Sequence, residues 1–287
     1  MPARDLADAL VALARGNRDS AADQVAAVAT ENPSSRLARA LDAHLSGSDV
    51  DSVYESTAAF TDFIEGGSNV SCYERVIELI GAIHAEVRPE TVADIGCGDG
   101  RVTAAVLTGA TSVVDLIEPS PALLAEATDR LRTGSVETRS HRSGVTEFLA
   151  ARPEVTWDLV QSTYALHTLP PPERVDVLAI LAGRCRRVII AEFDVPSFED
   201  RSVEHAMYAA TVYERGLAEY PDGDLVAQGF LMPVLVGQFD PDQPRHTFEQ
   251  PIDSWVADLL AAGFKVEATT PICDYWWAPA VLIEARV

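Results

Sequence analysis

The stretch TVADIGCGDGRVTAAV, Thr91 to Val106, places a glycine-rich turn between an apolar run and the start of a helix. Such a turn lets backbone N–H groups approach a ligand closely and is the common cradle of a phosphate. The glycines here are Gly96, Gly98 and Gly100, a G-x-G-x-G spacing, where a dinucleotide site wants G-x-G-x-x-G. Asp94 precedes them and Asp99 sits among them. Carboxylates at both places repel a pyrophosphate and accept hydrogen bonds from an ammonium group or water. The expected ligand carries positive charge.

A second carboxylate site supports a nucleoside. Glu118 ends the run VVDLIEPS, 24 residues beyond Asp94, and α/β nucleotide folds place an acceptor for ribose hydroxyls about 20 residues after the first strand. S-adenosylmethionine, with an ammonium, a sulfonium and no phosphate, meets both requirements. A nicotinamide dinucleotide is the rival that the charge disfavours.

Transfer chemistry needs an aligned acceptor and, for a weak nucleophile, a base to take its proton. Ligands in α/β folds bind beyond the carboxyl ends of the strands, so the residues just after strands are the ones to consider. His167, in YALHTLPP, is the expected general base, because imidazole titrates near neutral pH. Glu192 and Asp194, in AEFD, are expected to hold a substrate donor or orient the histidine, or else to act as structural caps. A different assembly of His167, Glu192 or Asp194, and His246 would hold a divalent metal, although no short-range ligand pair such as HxxxH supports it.

These residues need a scaffold. From Thr91 onward TVADIG, SVVDLIE, VETRSH, WDLVQST and RRVIIAEF read as strands alternating with helices, and FKVEATTPI and PAVLIEARV close the chain as two more strands. The alternation predicts an α/β fold, a doubly wound and mostly parallel sheet of seven strands. In SPALLAEATDRLRTG, Ser120 is the expected N-cap, Pro121 the first helical residue and Gly134 the stop. In IDSWVADLLAAGF, Ile252, Trp255/Val256 and Leu259/Leu260 share a helical face that Gly263 ends.

Residues 1–50 read as a helical N-terminal extension, with Ala21, Val25 and Val28 at helical spacing and Pro33 as a breaker. It resembles the second half of one tetratricopeptide-like hairpin, a unit that cannot bury its own apolar face and is expected to pack on the main domain or on a second subunit, with repeat-type peptide binding as the alternative. A homodimer is compatible with that. SGSDVDS at 46–52 is a polar linker, and two helical runs surround GGSN. Residues 51–287 form the expected ligand-binding domain. Within it, 194–248 is an insertion after the fifth strand, read as one helix and a Pro/Gly-rich loop, an expected lid rich in aromatic residues. Trp276 and Trp277, read as strand neighbours, would face opposite sides.

VADIGCGDG resembles the first motif of the class I S-adenosylmethionine-dependent methyltransferases at Asp94, Gly96, Gly98 and Gly100. The resemblance runs over about residues 54–287 and takes in WDLVQSTYALHTLPP and the terminal strand pair. It implies a small-molecule methyltransferase in which Glu118 holds the ribose. Arg142 and Ser143 of HRSGV would then lie near the adenine, and Asn69 and Tyr73 of GGSNVSCYE near the methionine end. The acceptor is open, with specialised metabolism as one setting. Metal-assisted C-methylation of a 2-oxo acid and a non-catalytic S-adenosylmethionine-binding protein remain as alternatives.

The bulk composition agrees with a small-molecule partner. A formal net charge of −22 without a basic cluster repels nucleic acid and anionic lipid. No apolar run of ~18 residues predicts a membrane span, and MPARDLADAL lacks a signal-peptide core. Cys72, Cys97, Cys185 and Cys273 are scattered without CxxC pairing, which predicts no disulfide framework and suits a reducing cytoplasm.

Overall fold

The computed structural model describes residues 2–47, 57–132, 134–220 and 224–287. The linker expected at 46–52 lies outside them from residue 48 onward, as do the start of the next helical run (53–56) and the tripeptide at 221–223. The chain forms two compact units, Met1–Val70 with Pro196–Thr247, and Ser71–Val195 with Phe248–Val287. The division expected at residue 50, with 194–248 as part of the second domain, is therefore corrected. The extension and the insertion share one unit because their apolar helix faces bury each other, a long-range pairing.

In chain order the elements before the sheet are α1 (Pro2–Ala14), α2 (Arg18–Glu31), α3 (Arg36–Ser46), α4 (Thr57–Ile64) and α5 (Asn69–Val87). The sheet unit then runs β1 (Thr91–Ile95), α6 (Arg101–Val106), β2 (Val113–Ile117), α7 (Pro121–Leu131), β3 (Glu137–His141) and α8 (Val145–Ala151). It continues with β4 (Trp157–Thr163), α9 (Pro171–Ala182) and β5 (Cys185–Phe193). The insertion carries α10 (Val203–Leu217), α11 (Asp224–Val226) and α12 (Met232–Phe239), and α13 (Ile252–Ala261), β6 (Lys265–Cys273) and β7 (Ala280–Arg286) return to the sheet.

The helical unit is built on α1, whose Leu6, Leu10 and Leu13 are buried against α2, α10 and α12. The carboxylate of Glu214 in α10 accepts the Ser35 hydroxyl at 2.7 Å and the backbone N–H groups of Arg36 and Leu37 at 2.8 and 3.0 Å. An anion thus caps the N-terminus of α3, where the helix dipole favours it. Asp224–Phe239 is helical, not the loop expected from its glycines and proline, with a π turn at Ala227–Leu231. Proline inside a helix removes a donor and crowds the preceding turn. Here Pro233 falls in the first turn of α12, directly after the wider π turn.

The sheet unit has the strand order β3-β2-β1-β4-β5-β7-β6. β1 to β5 pair in parallel and β7 inserts antiparallel between β5 and β6. Side chains alternate across the strands. Ala93, Ile95, Val160, Val188 and Ile190 join α8, α9 and α13 in one apolar core, which includes the fully buried Trp255. Leu259 is buried as expected, but Leu260 is 55% exposed and does not share that face. The alternate residues Asp94 and Gln161 point to the other face, toward α5 and α6.

Candidate active site

The C-terminal ends of β1, β2, β4 and β5 carry the candidate residues. After β1 the chain turns through Gly96, Gly98 and Gly100, all with positive φ. A Cβ at Gly96 would lie 2.3 Å from the Cβ of Ala165, so glycine is required there by contact as well as by conformation. At Gly98, by contrast, an added Cβ would meet nothing within 4 Å. That side of the turn is open, as a backbone cradle for a ligand must be.

Asp94 is buried, and its Oδ2 accepts from Thr103 Oγ1 and from Gln161 Nε2 at 3.1 Å. Its Oδ1 is buried without a hydrogen-bond partner among the described residues. Burial pushes its carboxyl up to about 6; the Thr103 and Gln161 hydrogen bonds oppose the rise and the charge of Glu118 adds to it. Glu118 sits at the adjacent strand end, accepting Gly98 N at 3.1 Å and Ser120 N at 2.9 Å. Burial raises its pKa while those two N–H groups lower it. Each carboxylate oxygen keeps a further lone pair.

Asp99 departs from expectation. Its carboxylate pairs with Arg101 at 2.9 Å and Arg130 at 2.7 Å, and its carbonyl accepts from Arg130 Nε. It is therefore a neutralised strut that ties the turn to α6 and α7. The unpaired negative charge at the turn comes from Asp94 and Glu118.

Tyr73 on α5 stands under the Arg101 guanidinium, 5.7 Å from the ring centroid, and meets Tyr164 edge-on at 5.8 Å. Burial pushes its hydroxyl up to about 12, opposed by Arg101 and reinforced by Asp99 and Asp94. Asn69, expected beside it, belongs to the helical unit, where it donates to the Phe63 carbonyl and the Tyr220 hydroxyl at 2.8 Å. Arg142 and Ser143 follow β3 next to Glu118, whose N–H donates to His141 O at 3.2 Å. Arg142 is exposed, and the Ser143 hydroxyl donates to Gly144 O.

His167 lies on a 3₁₀ turn, Leu166–Thr168, after β4. Its Nδ1 is 2.8 Å from Glu192 Oε2, and its backbone N–H donates to Glu192 Oε1 at 3.1 Å. Burial lowers the imidazole pKa, but the charge and hydrogen bond of Glu192, joined by Glu249, outweigh burial and the opposing Arg174 and leave it raised. Phe248 N closes on the His167 carbonyl at 2.6 Å. The buried guanidinium of Arg174 donates to Phe248 O and Gln250 Oε1 and stacks 4.2 Å from Trp255, bracing the same loop pair. Asp194 is a cap, its Oδ1 accepting Ile252 N at the start of α13. Among the described residues no group of three or more His, Cys, Asp or Glu is placed to hold a metal.

A run of aromatic rings follows from this point. Tyr164 stacks on Phe193 at 4.6 Å, Phe193 on Tyr275 at 5.1 Å, and Tyr275 leads to Trp276 and Trp277. The two tryptophans lie in the loop between β6 and β7, not in a strand, and both are buried. Tyr164 adopts φ 52°, a strained choice for an aromatic residue. Cys72 and Cys273 are joined in a disulfide that ties α5 to the end of β6. The expectation of unpaired cysteines is corrected, and with it goes the cysteine argument for a reducing compartment.

Sequence reasoning missed His84, Gln161, Thr103 and the Tyr164–Phe193–Tyr275 stack. A glutamine directly after the apolar pair Leu159–Val160 in a parallel strand was a usable signal. So was a histidine on the stripe of Val76 and Ile80.

Residues 92–187 match the family model described as a methyltransferase domain. No curated protein matches the chain. Among solved structures the chain is similar to magnesium protoporphyrin IX methyltransferase from Synechocystis PCC 6803 with bound S-adenosylhomocysteine, at 15% identity and a TM-score of 0.55, over 81% of this chain and 95% of that one. It is also similar to an O-methyltransferase family protein from Burkholderia thailandensis, at 15% identity and a TM-score of 0.56, over 92% and 70%. A third is 1,6-didemethyltoxoflavin-N1-methyltransferase from the same organism, at 19% identity and a TM-score of 0.50, over 84% and 92%. These likenesses carry the architecture. No helix among the described residues is long and apolar enough to cross a membrane. The matched segment and the strand order agree: residues 92–187 match a methyltransferase domain, and the sheet unit around them has the class I methyltransferase fold.

Proposed function

We propose that the enzyme methylates an O–H or N–H group of a small organic acceptor, with His167 as general base and Glu192 as its orienting partner. The single observation that carries this reading is the His167–Glu192 pair at the ends of β4 and β5. Glu192 occupies Nδ1, which leaves Nε2 as the basic atom. S-adenosylmethionine, when bound, supplies an electrophilic methyl group on a sulfonium.

The residues of the glycine turn fit that cofactor. The unpartnered Asp94 Oδ1 would accept from the α-ammonium, the spare lone pairs of Glu118 from the ribose hydroxyls, and the open side of Gly98 admits close backbone approach. Arg142, Ser143 and Tyr73 take supporting positions around it. Nε2 of His167 would take the acceptor proton as the acceptor lone pair bonds to the methyl carbon and the carbon–sulfur bond breaks, its electron pair staying on sulfur in the departing S-adenosylhomocysteine. Glu192 stabilises the imidazolium so formed. The rings of Tyr164, Phe193 and Tyr275 offer a flat apolar wall to a compact acceptor.

Two fold neighbours are named for small-molecule acceptors, magnesium protoporphyrin IX and 1,6-didemethyltoxoflavin, and the same class of acceptor is proposed here. A net charge of −22 makes nucleic acid an unfavourable partner. The test is a panel of metabolite acceptors incubated with protein and cofactor and scored by mass for one added methyl. His167→Ala should keep cofactor affinity and lose turnover by about 10²–10⁴-fold. Full activity in that variant would refute the assignment of the base.

A further inference from the structure

Four buried side chains form one hydrogen-bonded line beneath the glycine turn. His84 Nε2 lies 2.9 Å from Gln161 Oε1. Gln161 Nε2 donates to Asp94 Oδ2 at 3.1 Å and to Thr103 Oγ1 at 3.3 Å, and Thr103 donates to the same Asp94 oxygen. His84, Gln161 and Thr103 are each 0% exposed and Asp94 2%. Nothing in the proton transfer proposed above uses His84 or Gln161.

The orientation of each group follows from its neighbour. The Asp94 carboxylate can only accept, so the Gln161 amide must turn its NH₂ toward it and its carbonyl away. That carbonyl can only accept, so His84 must carry its proton on Nε2. Burial lowers the His84 pKa, against the raising effect of the Gln161 hydrogen bond, which favours the neutral ring. Its Nδ1 has no partner among the described residues. The line is thus polarised in one direction, from imidazole N–H through amide to carboxylate.

The consequence falls on the carboxylate. Two donors converge on Oδ2, and Oδ1 is left buried and unpartnered. Without the amide, the Asp94 side chain could rotate and divide its acceptors differently. We infer that His84 and Gln161 are positioning residues that hold Asp94 so that Oδ1 faces the α-ammonium of S-adenosylmethionine. This rests on the reading of Asp94 as the ammonium acceptor. The relay is a property of α5 and β4, outside the glycine motif itself.

Calorimetric titration with two ligands tests it without turnover. S-adenosylhomocysteine carries the amino-acid arm, and 5′-methylthioadenosine lacks it. In Gln161→Met and His84→Leu the affinity for S-adenosylhomocysteine should fall about tenfold, as loss of a hydrogen bond to a charged group implies. Affinity for 5′-methylthioadenosine should stay within about twofold, which also reports that the variants are folded. His84→Gln, whose amide N–H reaches as far as Nε2, should restore most of the loss. Parallel weakening of both ligands in both variants would mark a merely structural role and overturn the proposal. So would unchanged binding in both, with Asp94→Asn still weakening S-adenosylhomocysteine selectively. If Asp94→Asn leaves the ratio of the two affinities unchanged, the ammonium reading itself fails and the relay falls with it.

Discussion

Glu192 grips His167 at two points, through Oε2 to the ring Nδ1 at 2.8 Å and through Oε1 to the backbone N–H at 3.1 Å. One fully buried carboxylate therefore sets both the position of the 3₁₀ turn and the tautomer of the imidazole it presents.

The pair predicts a pH signature. A general base must be neutral to act, so kcat/KM should fall on the acid side of a His167 pKa that Glu192 holds above 6.5. In Glu192→Gln only Glu249 is left to oppose burial, so the acid limb should move to lower pH while turnover drops. Stability follows the same sign. A pKa raised on folding stabilises below about pH 6.5, and that contribution fades as pH rises through the folded value. Denaturant melts should therefore show Glu192→Gln losing more stability at acid pH than at alkaline pH. An unmoved acid limb would contradict the pairing.

Asp94 predicts the opposite balance. Its carboxyl, raised by burial from 3.8 to about 6, resists ionisation in the empty site. Between those values and above, the unfolded chain ionises more readily, so folding is penalised by up to roughly 3 kcal/mol. Asp94→Asn should then be more stable than the parent at pH 8 without ligand, and lose that advantage near pH 4. Cofactor affinity of the parent should weaken below about pH 6, where the carboxylate is protonated. Thermal melts and titrations across pH read both effects.

The glycines of the turn predict a split between folding and binding. Gly96→Ala drives a Cβ to within 2.3 Å of Ala165 at φ 67°, and should destabilise by about 2–4 kcal/mol through strain and overpacking. Gly98→Ala meets open space at φ 54°, so it should cost about 1 kcal/mol yet weaken the cofactor more than Gly96 variants that still fold. Urea melts beside binding titrations distinguish the two. Equal stability losses would remove the argument from contact.

The disulfide predicts a thiol count. Cys97 and Cys185 are the free thiols, so the denatured, unreduced protein should react with two equivalents of a thiol reagent, and the reduced protein with four. Cys72 and Cys273 are 201 positions apart. Reduction, or Cys72→Ser, should therefore lower stability by roughly 2–5 kcal/mol. Four reactive thiols before reduction would show that the bond does not form.

The seven strands were readable because β1, β4 and β5 carry short apolar stretches (Val92–Ala93, Leu159–Val160, Val188–Ala191) and punctuated helices lie between most strands. The glycine turn and Glu118 were readable from spacing, since both lie within one β-α-β unit. The pairing of Asp99 with Arg101 and Arg130 was harder, because its second partner is a whole α7 away. The helix at Asp224–Phe239 was hidden by Gly229, which lies in the π turn, and by Pro233 and Gly237, which lie in α12, Pro233 in its first turn. The disulfide and the two-unit division depend on contacts between remote segments, and local pattern carries no record of these.

The helical unit is discontinuous, and that orders its birth on the ribosome. Its first half, up to Val70, is made before any strand, whereas α10 and α12, which cover α1, emerge only after β5. The leading helices must therefore wait through translation of most of the sheet with an oily flank uncovered. A nascent chain arrested before Pro196 presents that flank to chaperones or to its neighbours.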